Sequence, residues 1–223
     1  MTFPEEHFER LKTGHRETRA NFEPNFNLRI HRSLSWLKKA EMESFDADGG
    51  FIFYWIAFNA AYSDHGEKIT SSGQREIYQT YFRQLIECDT RNEIYDVIWS
   101  TFPGPIRSLL NNHFTYEPFW KHYHGNLAFS DWNETFQVSL KLFGRALEKN
   151  DTQTILELLF ARLYFLRNQM LHGGATWNGS VNRGQVQDCR NILGSIVPTF
   201  IEIMMENPSL DWGDTFYPVI DQN

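Results

Sequence analysis

The sequence predicts an all-α protein, a helical bundle with additional helices around it. Apolar residues recur at helical spacing in most segments, and runs in which apolar and polar residues strictly alternate are few. Residues that start and stop helices separate these segments, and the connections between them are short. Because short connections make consecutive long helices antiparallel neighbours, a helical bundle is the natural architecture.

The first four helices are expected in the first 90 residues. Asp46-Ala47-Asp48 provides side chains of the kind that cap a helix N-terminus. The helix that follows it, FIFYWIAFNAAY, is apolar almost all round, so we expect it to be central rather than amphipathic. The predicted bounds are about 4–21, 27–45, 49–63 and 72–87.

Two shorter helices and an irregular stretch follow. Helices are expected at about 91–101 and 105–112, with Pro103-Gly104-Pro105 ending the first of them. Residues 113–132 are rich in His, Tyr, Phe and Trp and show no regular period, so this stretch is predicted to be irregular. A longer helix over about 133–149 comes next.

The last two predicted helices have clear boundaries. Asn150-Asp151 interrupts the chain, and Asp151 or Thr152 caps the helix that follows. Gly173-Gly174 suits a left-handed helix end. Pro198 should kink or divide the final helix. These two helices are expected at about 152–172 and 184–206.

Length and composition indicate a folded globular protein. The chain has 223 residues, of which 41% are hydrophobic and 16% aromatic. That is enough for a substantial core and far from the composition of disordered chains. We expect one domain over residues 1–223, with a core of about 27–206.

The charge is unevenly distributed. The formal net charge of −7 argues against non-specific binding of nucleic acids. Residues 1–39, however, contain eight Lys and Arg against five Asp and Glu. Arg29 and Arg32 are three residues apart and would share a helix face. This basic region is either a solvated surface or a patch that attracts phosphate, and Arg29 and Arg32 are the RNA-binding candidates.

Several classes of protein are disfavoured. The two cysteines, Cys88 and Cys189, lack the spacing of a disulfide framework or a structural zinc site. The N-terminus lacks the apolar segment of a secretion signal. The longest apolar run, 51–61, is shorter than the about 20 residues needed to span a bilayer. We therefore expect a cytoplasmic protein without membrane contact, and the sequence indicates no cofactor.

One short segment combines the residue types of a phosphodiester site. Arg167-Asn168-Gln169-Met170-Leu171-His172 ends an otherwise apolar helix. Asn168 and His172 are four residues apart, so Asn168 can hold the imidazole. The helix dipole favours a cationic histidine in the last turn, and an imidazole can move protons near neutral pH. A guanidinium stabilises charge on phosphoryl oxygens.

This segment resembles the signature of the HEPN superfamily, which is an Arg followed after four to six residues by a His, typically Arg-Asn-x-x-x-His. In those helical domains the motif lies near the end of a late helix, as it does here. The flanking segments Trp55–Tyr62 and His172–Asn178 also resemble a bacterial group of stand-alone HEPN proteins of about this length. The resemblance covers about 27–206, although the six-residue motif is its diagnostic part.

The resemblance implies a metal-independent endoribonuclease that works as a homodimer, with two motifs facing one cleft. By analogy, His172 would be the general acid or base, Arg167 would clamp the phosphate and Asn168 would orient the site. The RNA 2′-hydroxyl would attack the adjacent phosphate and leave a cyclic phosphate. Many relatives are toxins or defence nucleases, which makes an antitoxin or another protein a possible partner. Others have lost catalysis and bind nucleotides, RNA or partner proteins.

Three interpretations therefore stay open: a nuclease, a binding module without catalysis, and a purely structural protein. In the structural interpretation, Arg167 pairs with Glu157, Asp46 or Asp48 and merely completes a helix end. Whether Arg167 and His172 are accessible or internally paired separates these interpretations.

Three further features of the sequence have two interpretations each. Asn59 is either a buried amide bonded to a neighbouring helix or, like Asp48, a support for the Arg–His site. His122-Tyr123-His124 has poor spacing for a metal site and is more typical of a surface loop. Its aromatic neighbours are either core or interface residues, or residues that stack unpaired bases.

Overall fold

The all-α prediction is confirmed by a computed structural model. The structure describes residues 7–62, 71–213, 215 and 217, with 71–77 described by their backbone alone. Within these residues the chain forms ten helices and no strand. The helices are α1 (Phe8–Thr18), α2 (Pro24–Met42), α3 (Ala47–Tyr62), α4 (Ser71–Cys88), α5 (Glu93–Tyr95), α6 (Pro103–Asn111), α7 (Glu117–Tyr123), α8 (Trp132–Lys149), α9 (Thr152–Leu171) and α10 (Arg183–Glu206).

The long helices agree with the sequence patterns, and three regions differ. The expected helix at 91–101 consists of α5 followed by a π-helix over Asp96–Thr101. The stretch 113–132 is not irregular: it contains α7 between 3-10 turns at His113–Thr115 and Leu127–Phe129. α10 continues through Pro198 without division, so of the two expected effects the division is wrong and the kink stays a prediction.

The chain divides into two compact units. Unit 1 comprises Met1–Ile94 and Val186–Asn223, and unit 2 comprises Tyr95–Gln185. The expectation of one domain over 1–223 stays a prediction. Among the described residues no helix has the length and apolar character to cross a membrane.

Unit 1 is built around α3. As the all-round apolar sequence predicts, α3 is largely buried, and it packs mainly on α2. Asp46 caps its N-terminus, since its Oδ1 accepts hydrogen bonds from the backbone N–H groups of Asp48 and Gly49 at 3.0 Å. The Phe58 ring has no exposed area and lies 6.3 Å from the Phe200 ring of α10. This aromatic core fixes the position of the two helices.

Unit 2 is built around α9. Its buried face carries a run of large aliphatic and aromatic side chains, and it contacts α6 and α8. At the N-terminal end, Trp99 of the π-helix donates its indole N–H to Thr152 Oγ1 at 3.0 Å. The buried apolar residues of α9 are Ile155, Leu156, Leu159, Phe160, Leu163 and Leu166. None of them lies beyond Leu166, so the final turn of α9 leaves the core.

Candidate functional site

The motif helix α9 begins at a well-formed cap. Asp151 Oδ1 accepts a hydrogen bond from the Thr154 N–H at 3.0 Å, and its Oδ2 accepts one from the Thr154 hydroxyl at 2.7 Å. A side-chain acceptor satisfies one of the backbone donors that a helix start leaves unpaired. This confirms Asp151 as the cap and fixes where the twenty-residue helix starts.

The end of α9 is a Schellman turn that exposes His172. The Gly174 N–H donates to Gln169 O at 2.7 Å, and the Gly173 N–H donates to Met170 O at 3.2 Å. Gly173 has a φ of +73°, which side-chain-bearing residues rarely adopt, and a Cβ on Gly174 would lie 2.9 Å from Gln169 O. The two glycines therefore allow the chain to turn away directly after His172, which is exposed.

Arg167 is half-buried and has only neutral partners. Its Nη1 donates to Asn168 Oδ1 at 2.8 Å, and its guanidinium carbon lies 5.8 Å from the centroid of the Tyr164 ring. No carboxylate of the described residues forms an ion pair with it, so it is not paired with Glu157, Asp46 or Asp48. The remaining guanidinium N–H groups are available to an anion.

Asn168 serves Arg167 and not His172. Its carbonyl oxygen accepts from the guanidinium, which corrects the expectation that Asn168 holds the imidazole. Among the described residues, no hydrogen bond, ion pair or ring contact involves the His172 side chain. The imidazole is therefore open to a ligand, and Asn168 fixes the guanidinium at the same helix end.

The structure corrects the assignment of Arg29. This residue of unit 1 has no exposed area, and its guanidinium donates to Ala61 O at 2.7 Å and to Gly213 O at 2.9 Å. A side chain that is fully enclosed and bonded to backbone carbonyls does not contact RNA in this conformation. Arg32 is half-buried and donates to Tyr217 O at 2.5 Å, and its RNA-binding role stays a prediction.

The two candidate supporting residues lie on α3 of unit 1. Asp48 is 7% exposed in the first turn of the helix. Asn59 is half-buried, and its side chain has no hydrogen bond to another described residue, so it is not the buried and bonded amide that one interpretation required. Their support of the Arg–His site stays a prediction.

The His122-Tyr123-His124 segment lies on the surface at the end of α7. All three residues are exposed. In the part of the chain that the structure describes, no three His, Cys, Asp or Glu residues are grouped so that they could hold a metal ion.

Sequence reasoning missed Arg162, a residue of α9 that is 5% exposed. Its guanidinium carbon lies 4.4 Å from the Tyr116 ring centroid and 5.5 Å from that of Phe136. Its Nη2 lies 3.4 Å from Ser139 Oγ, and its Nε has no hydrogen-bond partner. Burial lowers the pKa of Arg162 to about 10. The missed signal was a single cation on the apolar face of α9, between Leu159 and Leu166.

Chemically, the end of α9 combines a fixed cation with an exposed imidazole. The guanidinium can bind a phosphate, and the imidazole can accept or donate a proton. No model of a known protein family, no curated protein and no solved structure matches this chain. The resemblance to HEPN proteins therefore stays a prediction.

Proposed function

We propose that this protein is a metal-independent endoribonuclease of the HEPN kind. The observation that carries the proposal is the guanidinium of Arg167, a half-buried residue, whose partners are the neutral Asn168 amide and the Tyr164 ring. Neither neutral partner balances the positive charge of the guanidinium. A phosphate bound there would supply the missing charge, and it would lie at the helix end that carries His172.

The proposed reaction is the one that the resemblance implies, and these groups have the chemistry to carry it. An RNA 2′-oxygen forms a bond to the adjacent phosphorus as the bond to the 5′-oxygen of the next nucleotide breaks. The 2′-hydroxyl proton passes to a neutral imidazole, and an imidazolium gives a proton to the departing 5′-oxygen. Arg167 stabilises the charge that grows on the non-bridging oxygens. The products are a 2′,3′-cyclic phosphate and a free 5′-hydroxyl.

The two proton transfers favour two imidazoles in one site. Each chain has one His172, and a homodimer would provide a second copy of the motif. Apolar side chains beside this helix end fit such a contact, since Leu171 is 55% and Trp177 is 71% exposed. The homodimer is part of the proposal, as is a role as toxin or defence nuclease controlled by an antitoxin or another partner protein.

The test is cleavage of single-stranded RNA in the presence of EDTA. We expect wild-type protein to leave cyclic phosphate ends, and His172→Ala to lose at least 100-fold in rate, as about 10²- to 10⁴-fold is typical for an acid–base group. Arg167→Lys should also cleave poorly, because an ammonium does not replace a planar guanidinium. His31→Ala and Arg145→Ala change exposed residues of the same types and should cleave normally.

Two results would contradict the nuclease. One is the absence of any cleavage by wild-type protein, and the other is unchanged cleavage by His172→Ala. Binding of RNA without turnover, weakened by Arg167→Ala, would instead support the binding module without catalysis.

A further inference from the structure

A surface of exposed rings lies on α7 and the 3-10 turn before it. We call Phe114, Trp120, Tyr123 and His124 the aromatic platform. Phe114 is 45% and Tyr123 is 70% exposed, His124 is exposed and Trp120 is half-buried. The Trp120 and His124 rings are 6.1 Å apart with an interplanar angle of 30°. These four side chains therefore give one segment of unit 2 a solvent-accessible aromatic surface.

One backbone carbonyl oxygen accepts hydrogen bonds from both the aromatic platform and the motif. Gln169, the third residue of the Arg-Asn-x-x-x-His motif, donates its side-chain amide to Phe114 O at 3.2 Å. Trp120 donates its indole N–H to the same oxygen at 2.8 Å. All these residues belong to unit 2. Gln169 of the motif and Trp120 of the aromatic platform therefore share one hydrogen-bond acceptor.

A second contact with α9 holds the same segment in place. Arg162 packs its guanidinium on the Tyr116 ring, and Tyr116 directly precedes α7. Below the exposed rings, Phe119 contacts the Trp132 ring of α8 at a centroid distance of 4.9 Å. Contacts with α8 and α9 therefore hold the segment that carries the aromatic platform.

The charge of unit 2 suits a nucleic acid better than that of the whole chain. Residues 95–185 contain eight Lys and Arg against seven Asp and Glu, together with four of the eight histidines. The remainder of the chain holds thirteen basic against twenty-one acidic residues and carries the excess negative charge. Two of the histidines, His122 and His124, are exposed at the end of α7.

We propose that the aromatic platform stacks unpaired bases of the RNA whose backbone is held at Arg167 and His172. This inference rests on the proposed nuclease function and adds a surface that would bind the substrate, by stacking on its unpaired bases. Aromatic side chains that present a face to solvent stack on any base, so the expected preference is for unpaired bases rather than for one sequence. Duplex RNA, whose bases are already stacked, should bind poorly.

The test measures binding separately from cleavage. The probe is a fluorescein-labelled 12-mer of 2′-O-methyl oligoadenylate, which has no attacking hydroxyl, and the readout is fluorescence anisotropy. Tyr123→Ala and Phe114→Ala remove exposed rings, and Phe114→Ala keeps the carbonyl oxygen that Gln169 and Trp120 share. Phe45→Ala, at a ring that is 96% exposed in unit 1, is the matched control.

We expect each platform substitution to weaken binding about tenfold, a typical effect for loss of one stacking ring. The control should bind as wild type. A 12-mer with abasic sites should bind wild type about as weakly as it binds the variants. Melting curves should be unchanged in all three variants.

Each unfavourable outcome has a separate meaning. RNA cleavage by wild type with unchanged affinity in both variants overturns the aromatic platform and leaves the nuclease. Base-dependent binding that the variants lose, with no cleavage of any RNA by wild type, overturns the nuclease alone. A change of oligomeric state with unaltered RNA affinity shows that the rings join two copies of the chain and overturns the platform. Absence of all RNA binding overturns both proposals.

Discussion

Buried Arg162 and half-buried Tyr116 form a cation–π pair, and no carboxylate of the described residues forms an ion pair with Arg162. The guanidinium carbon lies 4.4 Å from the centroid of the tyrosine ring. Desolvation lowers the pKa of Arg162, and the electrostatic interaction with Tyr116 partly opposes that effect. The ring thus compensates only part of the cost of burying this charge.

This balance predicts that Arg162→Met does not destabilise the protein. Methionine fills a similar volume without a charge, so relief from desolvation offsets the lost cation–π contact, which is worth about 2 kcal/mol when buried. We expect the free energy of unfolding to stay within about 1 kcal/mol of wild type, measured by urea denaturation. A loss above about 2 kcal/mol would show that the cation is a net stabiliser. Arg162→Ala, which leaves a cavity, should be clearly less stable than Arg162→Met.

Replacement of glycine by alanine should destabilise the protein in the Schellman turn and stabilise it inside α8. Gly173→Ala must adopt a φ of +73°, and Gly174→Ala brings Cβ to 2.9 Å from Gln169 O. Each should cost about 1 kcal/mol in stability and reduce RNA cleavage, because the backbone that presents His172 must move. Gly144→Ala, inside α8 with no heavy atom within 4 Å of the new Cβ, should instead stabilise by up to about 1 kcal/mol. Equal effects at the three positions, in thermal melts, would contradict this account.

Loss of the aspartate that caps α9 should lower stability more than loss of an aspartate that forms no cap hydrogen bond. Asp151→Ala removes two hydrogen bonds at the helix start and should lower the free energy of unfolding by about 1 kcal/mol. Asp131 precedes α8 without a side-chain cap bond, so Asp131→Ala should change stability by less than about 0.5 kcal/mol. The check is a pair of urea titrations, and similar losses in both variants would mean that the Asp151 bonds contribute little.

The lowered pKa of the buried His15 imidazole predicts that the protein loses stability in mild acid. Burial lowers the pKa of this imidazole below its ordinary value of 6.5, although the hydrogen bond to Asn27 opposes the shift. The unfolded chain therefore binds the proton more readily, and the stabilisation present at neutral pH is lost as the pH falls below about 6.5.

We test this with urea denaturation at pH 7.5, 6.5 and 5.5. His15→Gln, which keeps a hydrogen-bonding side chain but does not titrate, should show a shallower pH dependence than wild type. One group contributes at most about 1.4 kcal/mol per pH unit, so the difference should be about 1 kcal/mol or less at the lowest pH. His31→Gln, at an exposed position, should keep the wild-type slope. Parallel curves for wild type and His15→Gln would remove His15 as the cause.

Helix boundaries were predictable wherever short-range chemistry sets them. Asp46 and Asp151 cap helices because their carboxylates reach backbone donors two or three residues later. Gly173-Gly174 ends α9 because glycine tolerates the left-handed conformation. The sequence left open whether Arg167 and His172 are accessible, because Met170 continues the apolar spacing of α9 although burial ends at Leu166.

Features that depend on tertiary packing were not predictable. α7 has only seven residues, too few for a clear period, although Glu117-Pro118 is a typical helix start. The three-residue spacing of Arg29 and Arg32 indicated a shared face, but Arg29 also lies in register with Ser33 and Leu37, both buried. Whether Arg29 is buried or exposed depends on backbone carbonyl groups that are distant in sequence, to which its guanidinium donates. The local spacing does not show these partners.

The carbonyl oxygen of Phe114 accepts hydrogen bonds from Gln169 and from Trp120. A shift of the Phe114 backbone would therefore alter both hydrogen bonds together. Exchange of the Trp120 indole proton with solvent should therefore report on order at the end of α9. An oligonucleotide phosphate that immobilises this turn should slow that exchange even when no base touches the indole.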